Sequence, residues 1–277
     1  MSAGWNRESV VTAIDFIPFV ERLANISGEA IMPFFRTALT LEDKNVGGAF
    51  DPVTEADRAA ETAMRRLIGQ TFPSHGVIGE EFGSRDEDSE YVWVLDPIDG
   101  TKSFISGLPL WGTLIGLLHK GAPCYGLMNQ PFTRERFYGD GRGAYWTDHN
   151  GDSDKKTTRK LRVRSCEGLE RATLMTTSPK LIPSALRPRY EALEDKTRLT
   201  RYGGDCYAYC MLAAGQIDLV VEAGLNIYDI VALIPIIEGA GGIVTTWEGG
   251  DPAKGGAIIA AGDKRVHEQA LEFLRAR

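Results

Sequence analysis

Long apolar runs are missing from this chain of 277 residues. No stretch approaches the roughly 20 residues that a membrane-spanning helix needs. Cysteine is scarce. The four present, Cys124, Cys166, Cys206 and Cys210, show no zinc spacing and no disulfide framework, so reduced thiols in a cytoplasm are expected. Cys206 and Cys210 stand one helical turn apart and read as core packing. The four histidines form no His-Glu-x-x-His pattern, and neither Gly-x-Ser-x-Gly nor a P-loop occurs. A covalent nucleophile is therefore unsupported. Gly139-Asp140-Gly141-Arg142-Gly143 has the look of a nucleotide loop, but it lies between strand-like segments and reads as a turn. Positive charge is also short: 31 Lys and Arg against 38 Asp and Glu give a net charge of −7. That balance argues against general nucleic-acid binding and suits metal cations or a cationic substrate. The first residues, Met1 to Glu8, carry no signal-peptide pattern, which again points to a cytoplasmic protein.

What the chain does have is acids at the ends of apolar strands. Tyr91 to Leu95 reads as a buried strand, and it runs into Asp96-Pro97-Ile98-Asp99-Gly100-Thr101. Carboxylates in such a place are costly without a cation, and hard cations such as Mg²⁺ prefer oxygen ligands. The N–H groups and hydroxyl of Gly100-Thr101, at a helix start, would face an anion. A structural reading is a hairpin, since Asp-Gly is a common turn pair. Val77-Ile78-Gly79-Glu80-Glu81 is a second strand ending in acids. Neighbouring side chains of a strand point opposite ways, so only one of the pair can face the site directly; Glu80 is the favoured one, with Glu81 behind it. Its structural reading is a solvated acidic loop. In a third segment the strand Ile217–Glu222 is followed by a turn and by Asp229, which opens an apolar run to Ile237. Asp229 is a metal-ligand candidate here and, structurally, a helix N-cap. Thr54 and Asp57 have capping-box spacing ahead of a helix with the face Ala60, Met64, Leu67 and Ile68.

Size and composition, 43% hydrophobic and 25% charged, fit one folded unit over 1–277, with parts near 1–150 and 151–277. Ile17, Val20, Leu23, Ala24, Ile31 and Phe34 predict one helical face. Strands are expected from Val77 to about Trp146, an exposed loop over Asp148–Lys160, and then alternation: a strand over Ala172–Thr176, helices near Pro183–Leu193 and from Asp205, and a last helix over Lys264–Arg275.

Gly79-Glu80-Glu81, Asp96-Pro97-Ile98-Asp99-Gly100-Thr101, and Tyr228-Asp229-Ile230 followed by Glu238-Gly239-Ala240-Gly241-Gly242 resemble, in order and over most of the chain, the motifs of the inositol monophosphatase superfamily. The resemblance implies a five-layer α/β/α/β/α sandwich, commonly a homodimer. It implies two or three Mg²⁺ per site, bound by Glu80, Asp96, the Ile98 carbonyl, Asp99 and Asp229. It makes Asp57 the hydrogen-bond partner of Thr101, with both helping Glu80 prepare an attacking water, while Gly100 and Thr101 hold phosphate. Lys44 would sit near the metals, although alone it reads as a surface lysine.

Within the superfamily the chain is most similar to histidinol-phosphate phosphatases. The run Asp99–Gly107, Trp111–Ile115, Asn129-Gln130-Pro131 with Arg134-Glu135-Arg136, and Gly204–Tyr209 carry that likeness. Asn226-Ile227 departs from an expected Lys-Pro, and Cys210 from a small or aliphatic residue. The implied reaction is hydrolysis of a small phosphate monoester by in-line attack of a metal-activated water. Asp205 and Glu222 would bind the ammonium and imidazole of histidinol phosphate. Their structural readings are a helix N-cap and a strand-end acid. An inositol phosphatase or broad monoesterase, a nucleotide bisphosphatase and a weakly active regulatory relative are the alternatives.

Overall fold

The computed structural model describes residues 16–37, 41–43, 52–148 and 157–276, with the side chains of 41–43 and 52–54 left aside. Helix α1 (Ile17–Ile31) buries Val20, Leu23, Ala24 and Ile31, as its periodicity predicts. It stops before Pro33, so Phe34 lies in the turn beyond and Phe35 takes the buried place. Strands β1 (Leu41–Asp43) and β2 (Pro52–Thr54) pair antiparallel and lead into α2 (Glu55–Thr71), whose buried stripe includes Ala56, Ala60, Met64 and Ile68.

The strands β3 (Gly76–Gly79), β4 (Gly83–Arg85) and β5 (Tyr91–Asp99) open a large sheet. The short helix α3 (Thr101–Ile105) follows them. The sheet continues through β6 (Gly112–His119), β7 (Ala122–Gln130), β8 (Glu135–Gly139), β9 (Ala144–Asp148) and β10 (Thr157–Lys160), in the order β10-β9-β8-β7-β6-β5-β3-β4. Within this sheet, among the described residues, only β3 and β5 pair in parallel. Residues 149–156 of the expected loop over Asp148–Lys160 lie outside the described residues; at 157–160 strand β10 takes the loop's place. All four of its residues are exposed, so it carries no hydrophobic alternation to read; it is held by pairing with β9 and by Arg159 lying over Trp146 at 4.6 Å. The large sheet thus runs past the expected division near residue 150.

The second sheet contains β11 (Thr173–Thr176), then, beyond α4 (Arg187–Glu194), β12 (Leu199–Tyr202). After α5 (Asp205–Ala213) come β13 (Leu219–Leu225), α6 (Ile227–Ile230) and α7 (Leu233–Gly239). The chain closes with β14 (Ile243–Thr246), β15 (Gly256–Ala261) and α8 (Lys264–Leu274). The strand order is β12-β11-β13-β15-β14.

Apolar residues on alternate strand positions feed different cores, and that alternation builds the layers. Ile115, Leu117 and Leu127 pack with Val20, Leu23, Met64 and Ile68 on α1 and α2. Their strand neighbours Leu114 and Met128 pack on the other face with α5 and α7, against Val220 and Ile258 of the second sheet. Leu219, Val221 and Ile259 turn outward to Tyr190 on α4 and Val266 on α8. The result is the expected α/β/α/β/α sandwich. The middle helical layer sits close because Gly116, Gly126 and Gly139 lie opposite one another across β6, β7 and β8. A methyl on Gly126 would overlap the Ala232 carbonyl, and one on Gly139 would meet the Pro235 carbonyl at 2.6 Å. Only glycine permits that approach.

Candidate metal and phosphate site

Asp96 and Asp99 are three residues apart on one strand, which in regular β geometry sends them to opposite faces. A bulge changes this. Asp96 pairs with Leu114 and Asp99 with Gly112, so Pro97 and Ile98 together oppose Thr113. Proline has no N–H to leave unpaired, and Thr113 Oγ1 donates to the Pro97 carbonyl at 2.8 Å. The extra residue brings both aspartates to the same side.

Glu80 comes to them on the neighbouring strand. β3 pairs with β5 so that Gly79 faces Leu95, and the Glu80 N–H donates to the Leu95 carbonyl at 3.2 Å. Both Glu80 and Glu81 lie in the turn after β3, and Glu81 is not among the residues lining the cavity described below. Its side chain is 2% exposed and lies 3.7 Å from Arg58. Asp229 arrives from the second half on α6, which packs on β5. It is not the N-cap. Asn226 caps α6, and Asp229 completes a reciprocal capping box by accepting the Asn226 N–H at 2.6 Å. The departure Asn226-Ile227 therefore supplies the cap that orients a candidate ligand.

Carboxylate oxygens of Asp96, Asp99 and Asp229 lie within 4.8 Å of one another. Burial, then the nearby charges of Glu80 and Asp99, push Asp96 well above the usual range. Burial, then Asp205 and Asp229, do the same to Asp99. Burial carries Asp229 up to about 7. Asp96 Oδ1 is buried without a hydrogen-bond partner among the described residues. An oxygen-only donor set that repels itself and keeps a lone pair unsatisfied fits a hard divalent cation.

The cluster opens into a cavity of about 320 Å³ that Glu80, Asp99 and Asp229 share with Asp205 and Glu222. Glu222, 3% exposed, accepts the Thr177 N–H at 2.5 Å and the Thr176 hydroxyl at 3.2 Å. Burial raises it to about 7. Asp205 is not an N-cap either, since Gly204 holds that place. It is the first helical residue and adopts φ +42°, a conformation unfavourable for a residue with a Cβ. Two bonds hold it there: Ser103 Oγ donates to Asp205 Oδ2 at 3.2 Å, and the next N–H, of Cys206, donates to Asp99 Oδ2. Burial raises Asp205 as well, partly offset by Ser103 and Lys102.

Gly100, at φ +90°, starts α3 where the strand must turn sharply. The Thr101 hydroxyl donates to the Ile98 carbonyl at 3.1 Å, three residues back and within local reach. Asp57 is 2% exposed in the first turn of α2, close enough to Asp96 to raise it. Lys44 lies outside the described residues. Sequence reading missed Lys102, the sole basic residue lining the cavity among the described residues, as well as Thr177 and Tyr209. Lys102 directly follows the Gly-Thr pair, which was its available signal. Thr177 and Tyr209 had none, because sheet packing alone brings them in.

Fold and site together define a layered α/β/α/β/α protein with a carboxylate centre suited to a divalent cation. The chain belongs to the inositol monophosphatase family, whose model matches residues 13–276, and is a phosphatase of that generally Mg²⁺-dependent family. A chloroplastic bifunctional phosphatase of Arabidopsis thaliana is 46% identical over 263 residues, covering 91% of this chain and 72% of that protein. The histidinol-phosphatase of Mycobacterium tuberculosis is 35% identical over 227 residues, 81% of this chain and 85% of its own. The solved structure of an inositol monophosphatase from Zymomonas mobilis superposes with a TM-score of 0.79 at 41% identity, covering 93% of this chain and 96% of that one. Among the described residues no helix is long and apolar enough to cross a membrane.

Proposed function

We propose that the chain hydrolyses L-histidinol phosphate to L-histidinol and phosphate, a step of histidine biosynthesis. One observation carries this reading: two carboxylates, the buried Glu222 and the partly buried Asp205, line the same cavity as the acidic cluster. A neutral polyol needs no such charges, whereas an ammonium and an imidazole do. The 35% identity to a histidinol-phosphatase supports the same substrate.

In this proposal Glu80, Asp96, the Ile98 carbonyl, Asp99 and Asp229 hold two or three Mg²⁺. The bound ions supply positive charge that lowers the pKa of water and stabilises the oxygen leaving phosphorus. Glu80 accepts a proton from the attacking water, which Asp57 and Thr101 orient. The Gly100 and Thr101 N–H groups hold phosphate oxygens. The water oxygen bonds to phosphorus in line with the breaking P–O bond, and the leaving oxygen is protonated to give the alcohol. Asp205 and Glu222 grip that leaving group. Glu81 and Lys44 are accessory, and a cytoplasmic homodimer belongs to the same proposal. The second reading, an inositol phosphate as substrate, draws on the Zymomonas structure.

Phosphate release from histidinol phosphate, inositol 1-phosphate and adenosine 3′,5′-bisphosphate, with and without Mg²⁺, tests the proposal. A Mg²⁺-dependent kcat/KM that far exceeds the other two for histidinol phosphate upholds it. Equal or inositol-favouring rates leave the phosphatase chemistry and remove the substrate assignment.

A further inference from the structure

The turn that carries Glu80 is three residues long, Glu80-Glu81-Phe82, closed by the pairing of Gly79 with Gly83. Glu61 of α2, fully buried, reaches this turn. Its Oε2 accepts the Glu81 N–H at 2.7 Å, and its Oε1 accepts the Phe82 N–H at 3.2 Å. Arg65, one helical turn on, donates to Glu61 Oε1 at 2.7 Å and to the Gly83 carbonyl. The pair therefore grips the backbone of residues 81, 82 and 83 in succession. A methyl on Gly79 would overlap Glu61 Oε1, which gives a reason for glycine immediately before Glu80. From the opposite side the Glu80 N–H is tied to β5 at Leu95.

We propose that Glu61 is a positioning residue: by holding the two N–H groups that follow Glu80 it fixes where the Glu80 carboxylate stands, and so sets divalent-cation affinity. This rests on the reading of Glu80 as a metal ligand. Both carboxylate oxygens of Glu61 act as acceptors, so glutamine cannot substitute. Its amide NH₂ would face a backbone N–H, donor against donor. A purely structural clamp would make a different prediction, because loss of stability would then leave cation binding as it was.

The test is calorimetric titration of the intact protein with MgCl₂, beside thermal unfolding in chelator, for wild type, Glu61→Gln, Glu80→Gln and Asp218→Asn. Asp218 is the matched control. It is equally buried and also accepts from an arginine, Arg164, and from a backbone N–H, that of Thr173. The expected result is a Mg²⁺ dissociation constant raised roughly ten-fold or more by Glu61→Gln, the usual cost of losing a group that orients a ligand, and unchanged by Asp218→Asn. Wild-type affinity in Glu61→Gln beside weakened binding in Glu80→Gln overturns the Glu61 role. Unchanged binding in Glu80→Gln overturns the metal-ligand reading beneath it. Equal weakening in Asp218→Asn reduces Glu61 to a stability effect and overturns the proposal. Should Glu61→Gln not fold, amide exchange of wild type decides. Mg²⁺ should slow exchange several-fold at Glu81 and Phe82, and no change there sinks the inference.

Discussion

The backbone N–H of Cys206 donates to Asp99 Oδ2 at 2.5 Å, tying the start of α5 to the acidic end of β5. The same turn of chain presents Asp205 to the cavity, so the phosphate end and the candidate leaving-group end of the site share one hinge of hydrogen bonds. Replacing Asp99 by asparagine keeps the shape and removes a charge from a self-repelling cluster. Turnover should fall by more than about 100-fold, beyond the cost of losing a merely supporting group. The melting temperature in chelator should hold or rise. Normal Mg²⁺-dependent phosphate release from the variant would remove Asp99 from the ligand set.

The cluster also fixes how stability depends on pH. Asp96, Asp99 and Asp229 have folded pKa values above their unfolded values near 4. Between the two the folded state binds more protons. The metal-free protein should therefore be most stable below about pH 4 as far as these groups are concerned, losing that contribution as pH rises through about 7 for Asp229. Bound Mg²⁺ reverses the penalty. Unfolding at pH 5, 6.5 and 8, in chelator and in Mg²⁺, should show the difference between the two widening with pH. A constant difference would count against a carboxylate-bound cation.

Glu222→Gln and Asp205→Asn test the leaving-group contacts. Each removes a charge-assisted bond worth about 1.5–3 kcal/mol, so KM for histidinol phosphate should rise roughly ten-fold or more. Hydrolysis of inositol 1-phosphate should change little. Equal effects on both substrates would show that the two acids act on the centre as a whole and not on a cationic leaving group.

The glycine row under the middle helices makes a stability prediction. Gly126→Ala places a methyl against the Ala232 carbonyl, which is backbone and cannot rotate aside. The expected cost is about 1–3 kcal/mol of overpacking, read as a lower melting temperature. Because Asp229 lies three residues before Ala232, Mg²⁺ affinity should fall with it. An alanine variant as stable as wild type would mean that the segment 231–236 has slack to move.

Some of this was legible in the chain alone. Apolar strands running into acids at Glu80, Asp96 and Glu222, Asp229 at the head of an apolar run, and the periodic faces of α1 and α2 are local properties, set by the side-chain period of each element. The layered fold followed from the resemblance those motifs carry. Strand β10 was not legible, because an exposed edge held by backbone pairing leaves no apolar pattern. The N-cap readings of Asp229 and Asp205 went wrong for a related reason: Asn226 and Gly204 take those places through backbone geometry that spacing does not specify. Only the tertiary structure turned Asp96 and Asp99 to one side, through a bulge whose register depends on β6. Only it brought Lys102, Thr177, Tyr209 and Glu222 to one cavity and Glu61 beneath Glu80. Sequence fixes which groups an element offers; which of them meet depends on sheets and helices packing over distances that no local pattern encodes.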